Sequence, residues 1–351
     1  MTLHAGIASL AVQLPSRVVT NDELRAKYPA VVANIEQHVL GRLWNPDADS
    51  ASARFDAASA AYLADPFRGC VERRWLAADE KAIDIEEPAA RAAIERAGLA
   101  PTDIDALICC SFFPDQVDVG NAAFLARRLG VRCPAWNVES ACSGSLVALQ
   151  TACALVHGGV YARVLVVTSC TYSRLSPEDD TLAWGNGDGA AAFVVCREAA
   201  PAGLLACHAE STHVTCGAIW AAFEGSSMRM HTGPEAGRLL RDTAEPFLRG
   251  CVDGALHKAG MSIADVDAFV CNTPTAWYTA FCADVLGIAA DKCVNAHPDV
   301  ANIGPVLMPA NLDLARRRGL LAPGSVVLLY AIGSVSNATA TVMRCGPAIA
   351  S

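Results

Sequence analysis

The chain has 351 residues, 53% hydrophobic and 18% charged, with 27 Lys and Arg against 36 Asp and Glu for a formal net charge of −9. That composition can bury a large core and excludes a disordered chain or a disulfide-stapled miniprotein. The acidic balance, with no run of like charge longer than Arg316-Arg317-Arg318, argues against nucleic acid or an anionic membrane as partner. No apolar stretch reaches the roughly 18 residues of a bilayer span.

In chain order, Gly6 to Leu14 reads as a first strand. No Lys or Arg precedes it, so it does not read as a signal peptide, and the expected location is the cytoplasm. The segment 42–70, rich in Asp, Ala and Ser with Pro46 and Pro66, reads as a cap outside any sheet. Ala89, Ala92, Ala93 and Ile94 recur at helical spacing and stop at Gly98; the short apolar run 106–110 then predicts a strand. A helix over 121–130 follows. Trp136 to Val138 reads as a strand running through a tight turn into a helix that opens at Cys142. The fifteen cysteines are odd in number and contain no Cys-x-x-Cys, so most are expected to be reduced, buried and small, with no metal site.

The chain is internally duplicated. AGLAPTDIDALICC at 97–110 lies over AGMSIADVDAFVCN at 259–272 without a gap, at an offset of 162 and with six identities in fourteen positions. Phe124 to Val131 lies over Phe281 to Ile288, and the run 164–167 over 326–329, in the same order. Alternating helix and strand predicts an α/β layer fold with parallel strands. Two halves, 1–198 and 199–351, are expected to pack about a pseudo-twofold axis, so that equivalent loops meet at the centre.

One of those loops reads Glu139-Ser140-Ala141-Cys142-Ser143-Gly144. A thiol at a helix N-terminus meets unpaired N–H groups and the positive end of the macrodipole, which favour thiolate. Small neighbours leave room for a substrate. Taken alone, most cysteines are core residues, and that reading suits Cys153, Cys170 and Cys196. Cys142 is the candidate nucleophile.

ESACSGSLVALQTA around Cys142, GNGDGAAAFVV at 185–195 and ANIGPVLMPANLDLA at 301–315 resemble the β-ketoacyl synthase III relatives of the thiolase-fold condensing enzymes. QLPSRVVTNDEL at 13–24 and FRGCVERRWL at 67–76 extend the likeness over essentially the whole chain. The resemblance implies a five-layered αβαβα thiolase fold, a homodimer, and an acyl group carried on Cys142 from a coenzyme A or acyl-carrier-protein thioester, with no further cofactor. It also implies a Cys-His-Asn triad. Asn302 fills the Asn position, but the His position falls at Cys271-Asn272-Thr273, without a histidine. His297, five residues before Asn302, is the replacement candidate, with Asn302 or Asp299 holding its tautomer. His231, preceded by Met228 and Met230, is the rival. His208 and His213 read as structural, and His4, His38, His157 and His257 carry no partner pattern.

Gly333 is a candidate oxyanion-hole N–H beside that of Cys142. Gly187-Asp188-Gly189 reads as a structural turn, since it lacks the Lys of a phosphate loop. By resemblance, Arg68 contacts the coenzyme A nucleotide. Arg127-Arg128 and Arg316 to Arg318 are equally carrier-protein patches or ordinary helix-face charge.

The displaced histidine suits transfer of the acyl group to a hydroxyl or amine, and the likeness extends to ester-forming enzymes of natural-product pathways, secondary and antibiotic metabolism among them. The alternatives are a decarboxylative condensing 3-oxoacyl synthase III, with Asn272 and Asn302 polarising the thioester, and a non-catalytic partner subunit.

Overall fold

The computed structural model describes residues 4–37, 53–198, 201–225, 227–333 and 337–350. In chain order the strands are β1 (His4–Gln13), β2 (Arg17–Thr20), β3 (Glu72–Trp75), β4 (Ala106–Phe112), β5 (Ala135–Asn137), β6 (Arg163–Thr171), β7 (Asp188–Glu198), β8 (Gly203–Ser211), β9 (Ile219–Glu224), β10 (Ser227–Thr232), β11 (Ala268–Cys271), β12 (Val326–Ile332) and β13 (Asn337–Arg344). One sheet has the order β1-β7-β6-β4-β5 and the other β8-β13-β12-β11; β2-β3 and β9-β10 are separate ribbons. The stretches β1-β7-β6-β4 and β8-β13-β12-β11 match in order and in every relative direction. The sequence duplication is therefore a duplication of topology.

All-parallel strands do not form. Only β4-β5, β4-β6 and β11-β12 pair in parallel, while β1-β7, β6-β7, β12-β13 and β8-β13 are antiparallel. The reason is the connections. A parallel return needs a long crossover, usually a helix packed on the sheet. Between β6 and β7 lie only a 3₁₀ turn and the four-residue helix Thr181–Trp184, and four residues separate β12 from β13.

Helices Gly144–His157 and Leu307–Arg317 lie between the sheets, where Leu146, Leu149, Met308 and Leu312 share one apolar cluster with Ile108 and Val166 of one sheet and Val270 and Leu329 of the other. Ala82–Arg96 and Ala122–Leu129 cover the outer face of the first sheet, and Ala236–Ala259 and Tyr278–Leu286 that of the second. The result is the expected five-layered αβαβα thiolase fold. Central strands covered on both faces need no polar alternation, which is why Val164 to Val167 are all fully buried.

Of the predicted cap, residues 42–52 lie outside the described residues, as does His38. The described part forms the helix Ala53–Ser59 and stays off the sheets. Its Phe55 packs edge-on against Trp277 and Phe281 of the second half, with centroids 4.5 and 5.4 Å away.

The halves are also joined through backbone at the centre. Gly187 N donates to Asn302 O at 2.9 Å, and Asn302 N donates to Gly185 O at 3.0 Å. A Cβ on Gly187 would sit 2.4 Å from Val300 O, so only glycine permits this approach. The buried Asp188 carboxylate accepts N–H bonds from Leu76 and Ser173, and burial pushes its pKa up to about 6. Among the described residues no helix is long and apolar enough to cross a membrane.

Candidate active site

The loop after β5 is held by its own polar groups. Ala141 N donates to Glu139 Oε1 at 2.6 Å, Ser143 Oγ donates to Ser140 O at 2.7 Å, and Asn337 Nδ2 donates to Ser140 Oγ at 2.8 Å. Cys142 lies in the 3₁₀ turn Ala141–Ser143, and the α-helix opens at Gly144, two residues later than expected. Ser140 O takes Ser143 N in an i+3 bond at 3.1 Å, which tightens the entry turn. At Gly144 the helix backbone meets the Cys110 sulfur, which a Cβ there would approach to 2.2 Å.

The expected depression of the Cys142 pKa does not occur. Burial pushes the thiol up to about 11, with the Tyr172 hydroxyl and the local backbone N–H offsetting only part of it. Desolvation of a thiolate outweighs one turn of partial charge. Cys142 Sγ lies 3.5 Å from Tyr172 Oη. The Asn302 side chain reaches the same hydroxyl, so Tyr172 links the nucleophile to the loop of the second half. Burial lifts the phenol well above its ordinary pKa, so it stays protonated and donates to the sulfur when the sulfur carries charge.

His297 opens the short helix His297–Val300 and is 1% exposed. Its Nδ1 lies 2.8 Å from Thr273 O. A carbonyl only accepts, so Nδ1 carries the proton and Nε2 presents a lone pair. Nε2 is buried and has no hydrogen-bond partner among the described residues. Burial lowers the pKa to about 4 against the pull of the Thr273 carbonyl, with Arg73 and Arg68 adding to the depression. The imidazole is neutral at physiological pH.

Several expected roles are redistributed. The tautomer of His297 is held by the Thr273 carbonyl. Asp299 is exposed, and Asn302 Oδ1 accepts from Gly304 N at 3.0 Å. Asn272 Nδ2 donates to Ile332 O and its Oδ1 accepts from Ile332 N, both at 3.1 Å. Its amide staples two strand ends, which fixes its orientation and leaves the second Nδ2–H on a residue of the cavity wall. Gly333 N donates to Asn337 O at 2.8 Å, so this N–H is engaged; a Cβ there would meet Ser140 O at 2.7 Å, and the glycine's service is to let the Cys142 turn pack close. His231 stacks on Trp220 and faces Glu224 at 3.5 Å, outside the cavity wall to which Met230 and Thr232 contribute.

Cys142, Tyr172, His297, Asn302, Asn272 and Arg68 line one cavity of about 180 Å³. A second, of about 480 Å³ and lined by Phe112, Phe113, Trp220, Met228 and Glu139, also reaches Cys142 and Tyr172. Cys142 and Tyr172 belong to the walls of both. Backbone strain concentrates there: among the described residues the non-glycine positions with positive φ are Arg68, Phe113, Ala141 and Ala301. The first two line the cavities and the others flank Cys142 and Asn302, as expected when surrounding structure holds a site in place. No group of three or more His, Cys, Asp or Glu among the described residues is placed to hold a metal.

The sequence reading missed Tyr172. Its one signal is position: it follows the buried strand β6, on the face shared with Cys170 and Thr168.

A duplicated five-layered fold with a cysteine on the turn into a central helix, facing an Asn loop from the other half, defines the thiolase class. Residues 136–212 match the family model of 3-oxoacyl-[acyl-carrier-protein] synthase III, and residues 256–345 match the model of its C-terminal part. The chain is 33% identical to a β-ketoacyl-[acyl-carrier-protein] synthase III of Streptomyces coelicolor over 71% of this chain and 78% of that one. It is 31% identical to the enzyme of that name from Sinorhizobium medicae over 94% and 96%. The crystal structure of 3-oxoacyl-(acyl carrier protein) synthase III from Pseudomonas aeruginosa superposes with a TM-score of 0.81 at 22% identity, covering 98% of each chain. The protein is an enzyme of the β-ketoacyl-acyl-carrier-protein synthase III family.

Proposed function

We propose that the chain is an acyltransferase in which Cys142 takes an acyl group from a coenzyme A or acyl-carrier-protein thioester and His297 directs it to a hydroxyl or amine of a natural-product acceptor. The reading rests on His297, with Nδ1–H donated to the Thr273 carbonyl and Nε2 bare in the cavity of Cys142. In this tautomer Nε2 accepts a proton and has none to give. It suits deprotonation of the thiol, and later of the acceptor, better than donation to the oxygen of a forming enolate. Asn272 keeps one Nδ2–H beyond its bonds to Ile332, a single neutral donor where the condensing reaction draws on two.

In the first step Cys142 Sγ attacks the donor carbonyl as its proton passes towards Nε2, and the donor thiol leaves. In the second, the acceptor loses its proton to Nε2 as it attacks the acyl-enzyme, restoring the thiol. The Tyr172 hydroxyl donates to the sulfur while it bears charge in both.

Intact-protein mass spectrometry with a labelled acyl thioester tests this. Wild type gains one acyl mass and Cys142→Ala gains none. His297→Asn is acylated more slowly and, once acylated, transfers to a hydroxyl acceptor on the order of 10²–10⁴-fold more slowly. Release of carbon dioxide from a malonyl thioester, with a new carbon–carbon bond, would replace this reading with the condensing one.

A further inference from the structure

Arg68 is the one charged side chain among the described residues lining the 180 Å³ cavity. Its backbone is held in the left-handed region at φ 54, which an L-residue adopts only under strain. Asp65 pins the surrounding loop by accepting from Phe67 N at 2.9 Å and Gly69 N at 2.6 Å. A methyl on Gly185 would touch the Arg68 stem, and Gly185 O is the acceptor for Asn302 N. The strained turn therefore delivers a cation to the wall beside the catalytic loop.

That cation has no ion-pair partner within 4.0 Å among the described residues. Asp65 is occupied by backbone, and Asp180 accepts from Leu182 N. Burial lowers the guanidinium pKa despite the distant pull of both carboxylates. Arg68 is half-buried, and a cation partly withdrawn from water with no partner among the described residues is costly, whereas a guanidinium fork donates bidentately to a carboxylate or phosphate. In coenzyme A the phosphates are separated from the thioester by the whole pantetheine arm, whereas Arg68 shares with Cys142 a cavity of about 180 Å³, the size of a short acyl group.

We propose that Arg68 is the receptor for a carboxylate on the acyl group itself, so that the preferred donor is the thioester of a short dicarboxylic acid. Cys142 attacks the thioester carbonyl, the new carbon–sulfur bond forms as the donor's breaks, the donor thiol departs with the proton relayed from Cys142, and the distal carboxylate stays intact on Arg68. This deepens the acyltransferase reading and depends on it.

The test uses N-acetylcysteamine thioesters, which lack the nucleotide phosphates. Malonyl and succinyl thioesters are compared with acetyl and butyryl ones by the rate of mass gain on Cys142, in wild type, Arg68→Gln and Arg68→Gly; the last also relieves the backbone strain. Wild type is expected to load the carboxylated donors on the order of ten- to a hundred-fold faster. Both variants should lose that preference, the carboxylated donors slowing on the order of ten-fold or more relative to the uncharged ones. Equal wild-type rates for both sets, or equal slowing of both in the variants, overturns the carboxylate receptor and leaves the acyl-enzyme standing. Loading by neither set overturns both.

Discussion

A thiol that burial pushes up to about 11 is protonated at neutral pH and attacks only as it gives up its proton, so each contact of its sulfur counts. The Tyr172 hydroxyl at 3.5 Å is the contact that favours thiolate. Removing it with Tyr172→Phe leaves the ring and its packing in place. Iodoacetamide alkylation of Cys142 should then rise with pH along a curve displaced upward, with reaction on the order of ten-fold slower at pH 8 for the loss of one hydrogen bond to a charged sulfur. An unshifted curve would show that the phenol only fills space. Both Asn272 and Tyr172 carry groups able to donate to a reacting centre, and only their bonds distinguish them: Asn272 is tied at both ends to Ile332, while the Tyr172 hydroxyl faces the sulfur.

The helix Gly144–His157 is the element on which the site depends. Its apolar repeat was readable, and the segments matched by the internal repeat fall on equivalent elements: β4 with β11, β6 with β12, and the helix Ala122–Leu129 with Tyr278–Leu286. Its start was not readable, because the residue that decides it, Gly144, is constrained by the Cys110 sulfur on β4, a strand 34 positions away in sequence. Gly144→Ala places a methyl against that sulfur, with Cys110 buried on all sides. The helix must shift, destabilising the protein by about 1–3 kcal/mol and displacing the Cys142 turn. A lowered thermal midpoint together with slower acylation is the expected result. The antiparallel strands escaped the sequence reading for a related reason: alternation of helix and strand does not record that two connections lack a packed helix, and that lack decides the direction of the returning strand.

At the scale of the whole molecule, two buried titratable groups near the centre act on stability with opposite sign. His297 has a folded pKa of about 4 against an ordinary 6.5. Below 6.5 the unfolded chain takes up a proton that the folded chain refuses, so stability falls as pH drops towards 4. Asp188 has a folded pKa of about 6 against an ordinary 3.8, so the folded chain protonates first and stability rises over much the same interval. His297→Gln removes the first effect alone. Relative to wild type, it should be more stable at pH 5 than at pH 7.5 by about 2 kcal/mol, read as a difference in unfolding free energy at the two pH values. A difference independent of pH would mean that the imidazole is not held neutral.

The amino-acid order by itself determined the duplicated α/β plan and the thiolase class, and it singled out Cys142, His297 and Asn302. Repeats, apolar period and local motifs are properties of neighbouring residues and survive without the fold. Tertiary structure alone decided that Thr273 holds the His297 tautomer, that Asn272 and Gly333 are engaged in backbone bonds, that the Cys142 thiol is raised and not lowered, and that Arg68 turns inward. Each depends on desolvation or on a hydrogen bond between residues far apart in the chain, and burial has no local signature in a sequence.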